Sequence, residues 1–227
     1  MRKRSVIALF VVSQLCFAAL VCGQGAYKAE AGGPVSGIPA SVQAALQGQS
    51  VRFVSSQGTP VCEIWWRKGI PVKASAGSSG GEIVYGGLTE GELVGVIHFA
   101  SAGKDYRGQD IKPGYYTLRY ALIPQDGNHM GVSTYRDFLL LTPIANDTNP
   151  DQVLSFNDLV KDSRLATGTG HPCVLMLEPA SQSATTFPAA AQDDQGNWAL
   201  NVKLDTNAGG QNQQLPFAVV LVGQYQG

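Results

Sequence analysis

The chain has 227 residues, of which 44% are hydrophobic, and its 16 Lys and Arg side chains nearly balance its 17 Asp and Glu side chains. The net charge of −1 argues against nucleic-acid binding as the main role, because neutralisation of phosphates by basic side chains dominates that affinity. About 200 residues suffice for one domain that buries its own hydrophobic core, so folding does not require disulfide bonds.

Residues 1–23 have the layout of a secretory signal peptide. Three basic residues at positions 2–4 precede an almost wholly apolar run at 5–21, and small residues then lead to Gln24. We expect cleavage after Gly23, which removes three of the 16 basic residues and leaves 13 against 17 acidic residues, a net charge of −4. The mature chain is therefore predicted to be secreted or periplasmic.

Two alternatives to this cleavage concern the membrane. An uncleaved anchor would use the same apolar run, whose length of about 17 residues is at the lower limit for a span. A lipoprotein would be acylated at Cys22, but residues 19–21 are Ala-Leu-Val and match the usual box before such a cysteine poorly. Because no later apolar run approaches about 18 residues, we expect no membrane span in the mature chain.

The mature chain is predicted to be a flexible leader followed by one domain. Residues 24–37 are rich in Gly, Ala and polar side chains without a period, which indicates a leader without fixed structure. Residues 38–227 form the predicted domain, with short helices at 38–47 and 155–166. The strand-like segments are short and bounded by Gly and Pro: 51–54, 61–67, 82–85, 93–99, 115–123, 135–141, 173–177, 198–204 and 217–222.

The order of these elements predicts the fold class. Strands do not alternate with helices, which argues against a parallel α/β sheet. Residues 194–197 (Asp-Gln-Gly-Asn) predict a hairpin turn before one of the last strands. The pattern favours a mainly β chain folded as an antiparallel β-sandwich, Ig-like or jelly-roll-like, with a β-barrel as the alternative.

Two cysteines, Cys62 and Cys173, remain after removal of the signal peptide. In an exported protein such a pair is first interpreted as one disulfide bond, which here would close a loop of about 110 residues. Both cysteines lie in apolar strand-like segments, which suits a bond between two sheets. The alternative is a pair of buried free thiols.

The alternation of side chains along two strands identifies a candidate binding surface. If Cys62 points into the core, Trp65 faces the opposite side of its strand. In the segment YYTLRYALI the apolar face predicts that Tyr115 and Arg119 also point away from the core. Together with the loop at Tyr106 and Arg107, these residues are the predicted surface for an unknown protein or glycan. The alternative is that a second layer covers them.

Residues 147–158 resemble the start of a calcium loop. Asp147, Asn149 and Asp151 present oxygen atoms at alternate positions, and Asp158 stands where the twelfth-position ligand would be. However, Gln152 replaces the glycine of the sharp turn, and these residue types are also common in turns and at helix starts. Calcium is therefore the one cofactor that the sequence suggests; otherwise we expect none.

No motif in the sequence identifies an activity. The chain is expected to be a non-catalytic binding or envelope-structural module. The alternative is a secreted hydrolase that uses His129 or His171 with an aspartate, because catalytic residues often converge from distant loops. A cleft with a histidine beside a carboxylate would favour the hydrolase, whereas a flat aromatic patch would favour the binding module.

Overall fold

The computed structural model describes residues 26–73, 81–127, 129 and 132–223. The predicted signal peptide, residues 1–23, lies outside this range and stays a prediction. The structure is mainly β, with 43% strand and 11% helix, and the described residues contain two α-helices. The prediction of a mainly β chain with two short helices is therefore confirmed.

The strands are numbered β1 to β13 in chain order within the described residues. They are Tyr27–Ala31, Val51–Ser55, Pro60–Trp66, Ile70–Pro71, Leu93–Phe99, Gly103–Lys104, Asp110–Ile111, Gly114–Leu122, Asp137–Pro143, Val174–Glu178, Ala189–Gln192, Trp198–Ala208 and Gln211–Val222. The helices are α1, Ala40–Ala45, and α2, Phe156–Thr167, with a short 3₁₀ turn at Ile144–Asn146.

Most strands belong to one sheet that curls into a half-barrel. Ten strands follow the order β1-β2-β3-β5-β8-β9-β10-β13-β12-β11 through antiparallel pairs, and β4 pairs in parallel with β12. Strands β6 and β7 form a separate hairpin. The curl brings the ring of Tyr27 on β1 edge-on to Trp198 on β12, with 5.5 Å between ring centroids. The predicted sandwich is not confirmed.

The inner face of the half-barrel holds the largest hydrophobic cluster. On β8 the buried side chains Tyr116, Leu118 and Tyr120 face this core, as the alternation of the sequence predicts. Cys62 and Trp66 on β3 face it as well. Complete burial of an aliphatic side chain such as Leu118 stabilises the fold by roughly 1.5–3 kcal/mol.

Helix α2 covers part of the outer face of the sheet. Ser155 caps the helix, since its hydroxyl oxygen accepts a hydrogen bond from the Asp158 amide at 3.2 Å, and Gly168 ends it in the left-handed conformation. Leu159 packs into a second hydrophobic cluster with Phe138 and other residues of the sheet. The predicted helix at 155–166 is thus confirmed.

Two local predictions differ from the structure. The expected leader, residues 24–37, contains strand β1, because it pairs with β2 from Tyr27 to Ala31. The expected strand at 82–85 does not form. Instead the amides of Val84 and Tyr85 donate to the buried carboxylate of Asp137 at 2.7 and 2.8 Å, so they need no neighbouring strand.

The structure does not contain the predicted disulfide bond, since Cys62 and Cys173 are both free and buried. Cys62 lies on β3 and Cys173 directly precedes β10, and strands β5, β8 and β9 lie between them in the sheet. The hydroxyl of Ser163 on α2 bonds both the amide and the carbonyl of Cys173. Burial raises the pKa of both thiols, which keeps them protonated and unreactive.

Candidate functional site

The predicted aromatic surface is covered at Trp65. This side chain points away from the main core, as predicted, but only 3% of it is exposed because Val42 and Leu46 of the α1 region pack over it. Its indole Nε1 donates to the carbonyl of Gly33 at 2.9 Å. Trp65 therefore joins α1 to the sheet and does not form an exposed surface.

The remaining members of the predicted surface lie apart. Tyr115 is half-buried and stacks on His98 with 4.2 Å between ring centroids. Tyr106 and Arg107 lie in the turn of the β6–β7 hairpin, where Tyr106 packs against the second hydrophobic cluster and Arg107 is exposed. The buried carboxylate of Asp105 fixes this turn by accepting from the Arg107 amide at 3.0 Å.

Arg119 is completely buried and pairs with Asp147. We call this pair, with the carbonyl groups that Arg119 also bonds, the clamp. Nε and Nη2 of Arg119 bond the two carboxylate oxygens of Asp147 at 2.8 and 2.6 Å. Its other N–H groups donate to the carbonyl oxygens of Gly91, Asn149 and Gln152. All five guanidinium donors are thus satisfied inside the protein, which leaves none for a ligand.

A second arginine holds the same segment, residues 147–154, which we call the strap. Arg67, 7% exposed, bonds the carboxylate of Glu92 and reaches Asp151 on the strap at 2.8 Å. Burial raises the pKa of Glu92, and the positive charge of Arg67 opposes that shift. Gly91 allows the strap to approach, because a Cβ there would lie 2.0 Å from the Leu154 carbonyl oxygen.

Each of the four predicted calcium ligands makes a contact within the protein. Asp147 is occupied by Arg119 and by the hydroxyl of Thr117, and Asp151 is paired with Arg67. The side-chain oxygen of Asn149 accepts from the Asp151 amide, and Asp158 accepts from the Ser155 hydroxyl. Within the described part of the chain, no group of three or more His, Cys, Asp or Glu could hold a metal ion.

The structure contains a cleft at the connection from β8 to β9, in which it describes residues 123–127, 129 and 132–136. Ile123 and Arg136 hold the two ends of this loop together, since the Ile123 amide donates to the Arg136 carbonyl at 2.8 Å. The Arg136 amide in turn donates to the carbonyl of Glu82 at 2.8 Å. The cleft measures about 360 Å³ and is lined by Glu82, Ile123, Pro124, Gln125, Gly127, His129, Ser133 and Arg136.

One histidine lies in this cleft beside a carboxylate. Nδ1 of His129 is 2.9 Å from Oδ1 of Asp126, and the two side chains are 40% and 45% exposed. In the neutral tautomer with the proton on Nδ1, this contact leaves Nε2 as an acceptor. His98 lies on β5 and His171 lies in the connection between α2 and β10, so the three described histidines are on separate elements.

Sequence reasoning identified His129 but missed most of the cleft. Glu82 and Arg136 are 54 residues apart and meet through a backbone hydrogen bond, which no local pattern reveals. Pro124 and Gly127 are residue types that favour a turn at the start of the loop. The sequence therefore indicates only that a polar loop follows a long apolar strand, and this does not by itself identify a cleft.

No protein-family model, no curated protein and no solved structure matches this chain. Among the residues that the structure describes, no helix has both the length and the apolar character needed to cross a membrane.

Proposed function

We propose that this chain is an exported, non-catalytic binding protein whose ligand occupies the cleft of loop 123–136. Export rests on the signal-peptide pattern of residues 1–23. The observation that carries the binding role is the cleft, whose volume of about 360 Å³ lies within the range of small-ligand pockets. Its lining combines apolar Ile123 and Pro124 with the polar groups of Ser133 and Arg136.

The position of the cleft suits ligand binding. Loops on a rigid scaffold commonly carry binding sites, and this loop joins two central strands of the half-barrel. The two ends of this loop are held together by one backbone hydrogen bond from Ile123 to Arg136 and by two side-chain bonds from Arg136 to the Ile123 carbonyl. A space of this size accepts one sugar ring or one or two amino-acid side chains, which is compatible with a glycan or a protein segment as partner.

The test blocks the cleft with a bulky side chain. Ser133 lines the cleft, whereas its neighbour Thr134 is exposed and does not. Fragments are screened by saturation-transfer NMR against the wild type, Ser133→Trp and Thr134→Trp. We expect fragment binding to be lost in Ser133→Trp and kept in Thr134→Trp. Absence of binding to the wild type would contradict the proposal and favour an envelope-structural role. Equal binding to both variants would also contradict it, since the ligand would then bind outside the cleft.

The second candidate function is a hydrolase, and the contact between His129 and Asp126 favours it. A carboxylate on Nδ1 orients the ring so that Nε2 can remove a proton from a water molecule or from a hydroxyl such as that of Ser133. Against this role, both side chains are substantially exposed, and water screens the electrostatic effect of such a pair.

Hydrolysis of a series of p-nitrophenyl esters distinguishes the two functions. A surface imidazole hydrolyses such esters slowly without saturation, so exposed His171 provides the matched control. The binding proposal predicts unsaturable rates in all three proteins, with a similar small decrease in His129→Ala and in His171→Ala. Saturable turnover that His129→Ala abolishes, Asp126→Asn reduces and His171→Ala leaves unchanged would establish the hydrolase instead.

A further inference from the structure

Arg136 differs from the other arginines that the fold removes from solvent. Among the described residues, three arginines are buried or half-buried: Arg67, Arg119 and Arg136. Arg67 is paired with Glu92 and Asp151, and Arg119 with Asp147. Within the described part of the chain no carboxylate lies at ion-pair distance from Arg136, although its charge acts on Tyr120, whose hydroxyl donates to Asp137.

The guanidinium of Arg136 is fixed by hydrogen bonds along one edge, and a second edge can donate to another acceptor. Its Nε and Nη2 both donate to the carbonyl oxygen of Ile123, at 3.0 and 2.8 Å. Nη1 has no hydrogen-bond partner among the described residues. The edge formed by Nη1 and the second hydrogen of Nη2 therefore remains for another acceptor, and Arg136 lines the cleft. Two parallel donors on one edge match the two oxygens of an oxyanion.

The other groups that face the cleft are compatible with an anion. The hydroxyl oxygen of Ser133 accepts from the Tyr135 amide, which leaves its proton free to donate. Glu82 carries a negative charge at the cleft, but it is exposed and its charge is screened by water. Asp126 is in contact with His129. Arg136 is half-buried, so water screens its charge less than it screens the charge of exposed Glu82.

We infer that the cleft selects ligands that carry a small oxyanion, a carboxylate in the first instance, which Arg136 binds through its Nη1–Nη2 edge. The inference rests on the proposed function, since it names the chemical class of the ligand for the same cleft. It predicts that charge, and not shape alone, determines which ligands bind. A neutral amide of the same shape would offer the edge of Arg136 one acceptor oxygen instead of two, and no counter-charge.

The experiment compares acetate with acetamide, which have nearly the same shape and differ in charge. Each is titrated at constant ionic strength while ¹H–¹⁵N spectra report the amides of the cleft and the Nε–H of Arg136. We expect acetate to bind on the order of tenfold more tightly than acetamide, because its hydrogen bonds are charge-assisted. Inorganic phosphate is the third probe, and it distinguishes a preference for phosphate from one for carboxylate.

Variants separate the role of Arg136 from general effects of charge. Arg136→Gln should lose the acetate response, Arg136→Lys should keep part of it, and exposed Arg164→Gln should leave it unchanged. The lysine variant keeps the inference testable if the glutamine variant fails to fold.

Equal affinities for acetate and acetamide, or an acetate response that survives in Arg136→Gln, would overturn the inference. If neutral fragments still bind in the cleft, the proposed function stands without it. If neither the fragments nor the three probes perturb the cleft, both are refuted.

Discussion

Replacement of Arg119 by methionine tests the structural role that we assign to the clamp. Arg119 is fully buried, Asp147 is 4% exposed, and the variant leaves the Asp147 carboxylate without its counter-charge. Breaking a buried ion pair by removing one partner costs about 3–5 kcal/mol. Three carbonyl oxygens also lose a donor, so we expect a loss near the upper end of this range. That is a large part of the roughly 5–15 kcal/mol that stabilises a typical domain.

Urea unfolding followed by tryptophan fluorescence and circular dichroism measures this loss. Arg107→Met is the matched control, because Arg107 is exposed, and its unfolding free energy should change by less than about 0.5 kcal/mol. The double variant Arg119→Met with Asp147→Leu should recover much of the stability, since it removes both charges. A loss below about 1 kcal/mol for Arg119→Met would refute the clamp. Arg119 would then return as a candidate binding residue.

Three further predictions concern other residues. Burial, with a smaller contribution from Asp193, raises the pKa of Glu178 from 4.5 to about 7, so stability should fall as the pH rises from about 4.5 through 7. For the wild type we expect a fall in unfolding free energy of about 1–2 kcal/mol, after allowance for solvent contact. Urea unfolding of Glu178→Gln at pH 5 and pH 8 should not show this fall. If the variant still shows it, another group is responsible. Thiol titration of the chain from Gln24, unfolded without reductant, should detect both Cys62 and Cys173, and fewer thiols would mean that they are oxidised in solution. Added calcium should not raise the melting temperature, and a rise that saturates would show that the carboxylates of the strap can exchange their arginine partners for the ion.

The local structure of the β8 strand could be predicted from the sequence. The alternation in YYTLRYALI indicated which side chains face the core, and Tyr116, Leu118 and Tyr120 do face it. Alternation also placed Trp65 and Arg119 on the outer face. It could not show that α1 and the strap cover that face, because this depends on contacts between segments distant in sequence.

The shape of the sheet could not be predicted from the same pattern. A sandwich and a curled half-barrel both need strands with one apolar face, so alternation does not distinguish them. The curl of the sheet depends on the contact between Tyr27 of β1 and Trp198 of β12. Strand β1 lies within the segment that the sequence predicted to be a flexible leader. Low hydrophobicity and frequent glycine concealed this strand, although its backbone pairs regularly with β2.

The candidate site was also beyond local prediction. The carboxylates of the strap have the spacing of a calcium loop, yet Arg67 and Arg119, which neutralise them, precede them by 84 and 28 residues. In the cleft the residue types are ordinary for a loop. What makes Arg136 notable is the absence of a described carboxylate partner, which only the folded arrangement reveals.

The most direct test of the ligand cleft is a map of backbone amide shifts with the tightest fragment bound to the chain from Gln24. We expect the largest shifts on Glu82 and on residues 123–136, with little change at the stacked pair of His98 and Tyr115. Shifts centred on that pair, with loop 123–136 unaffected, would contradict this expectation and place the binding surface on the outer face of the sheet.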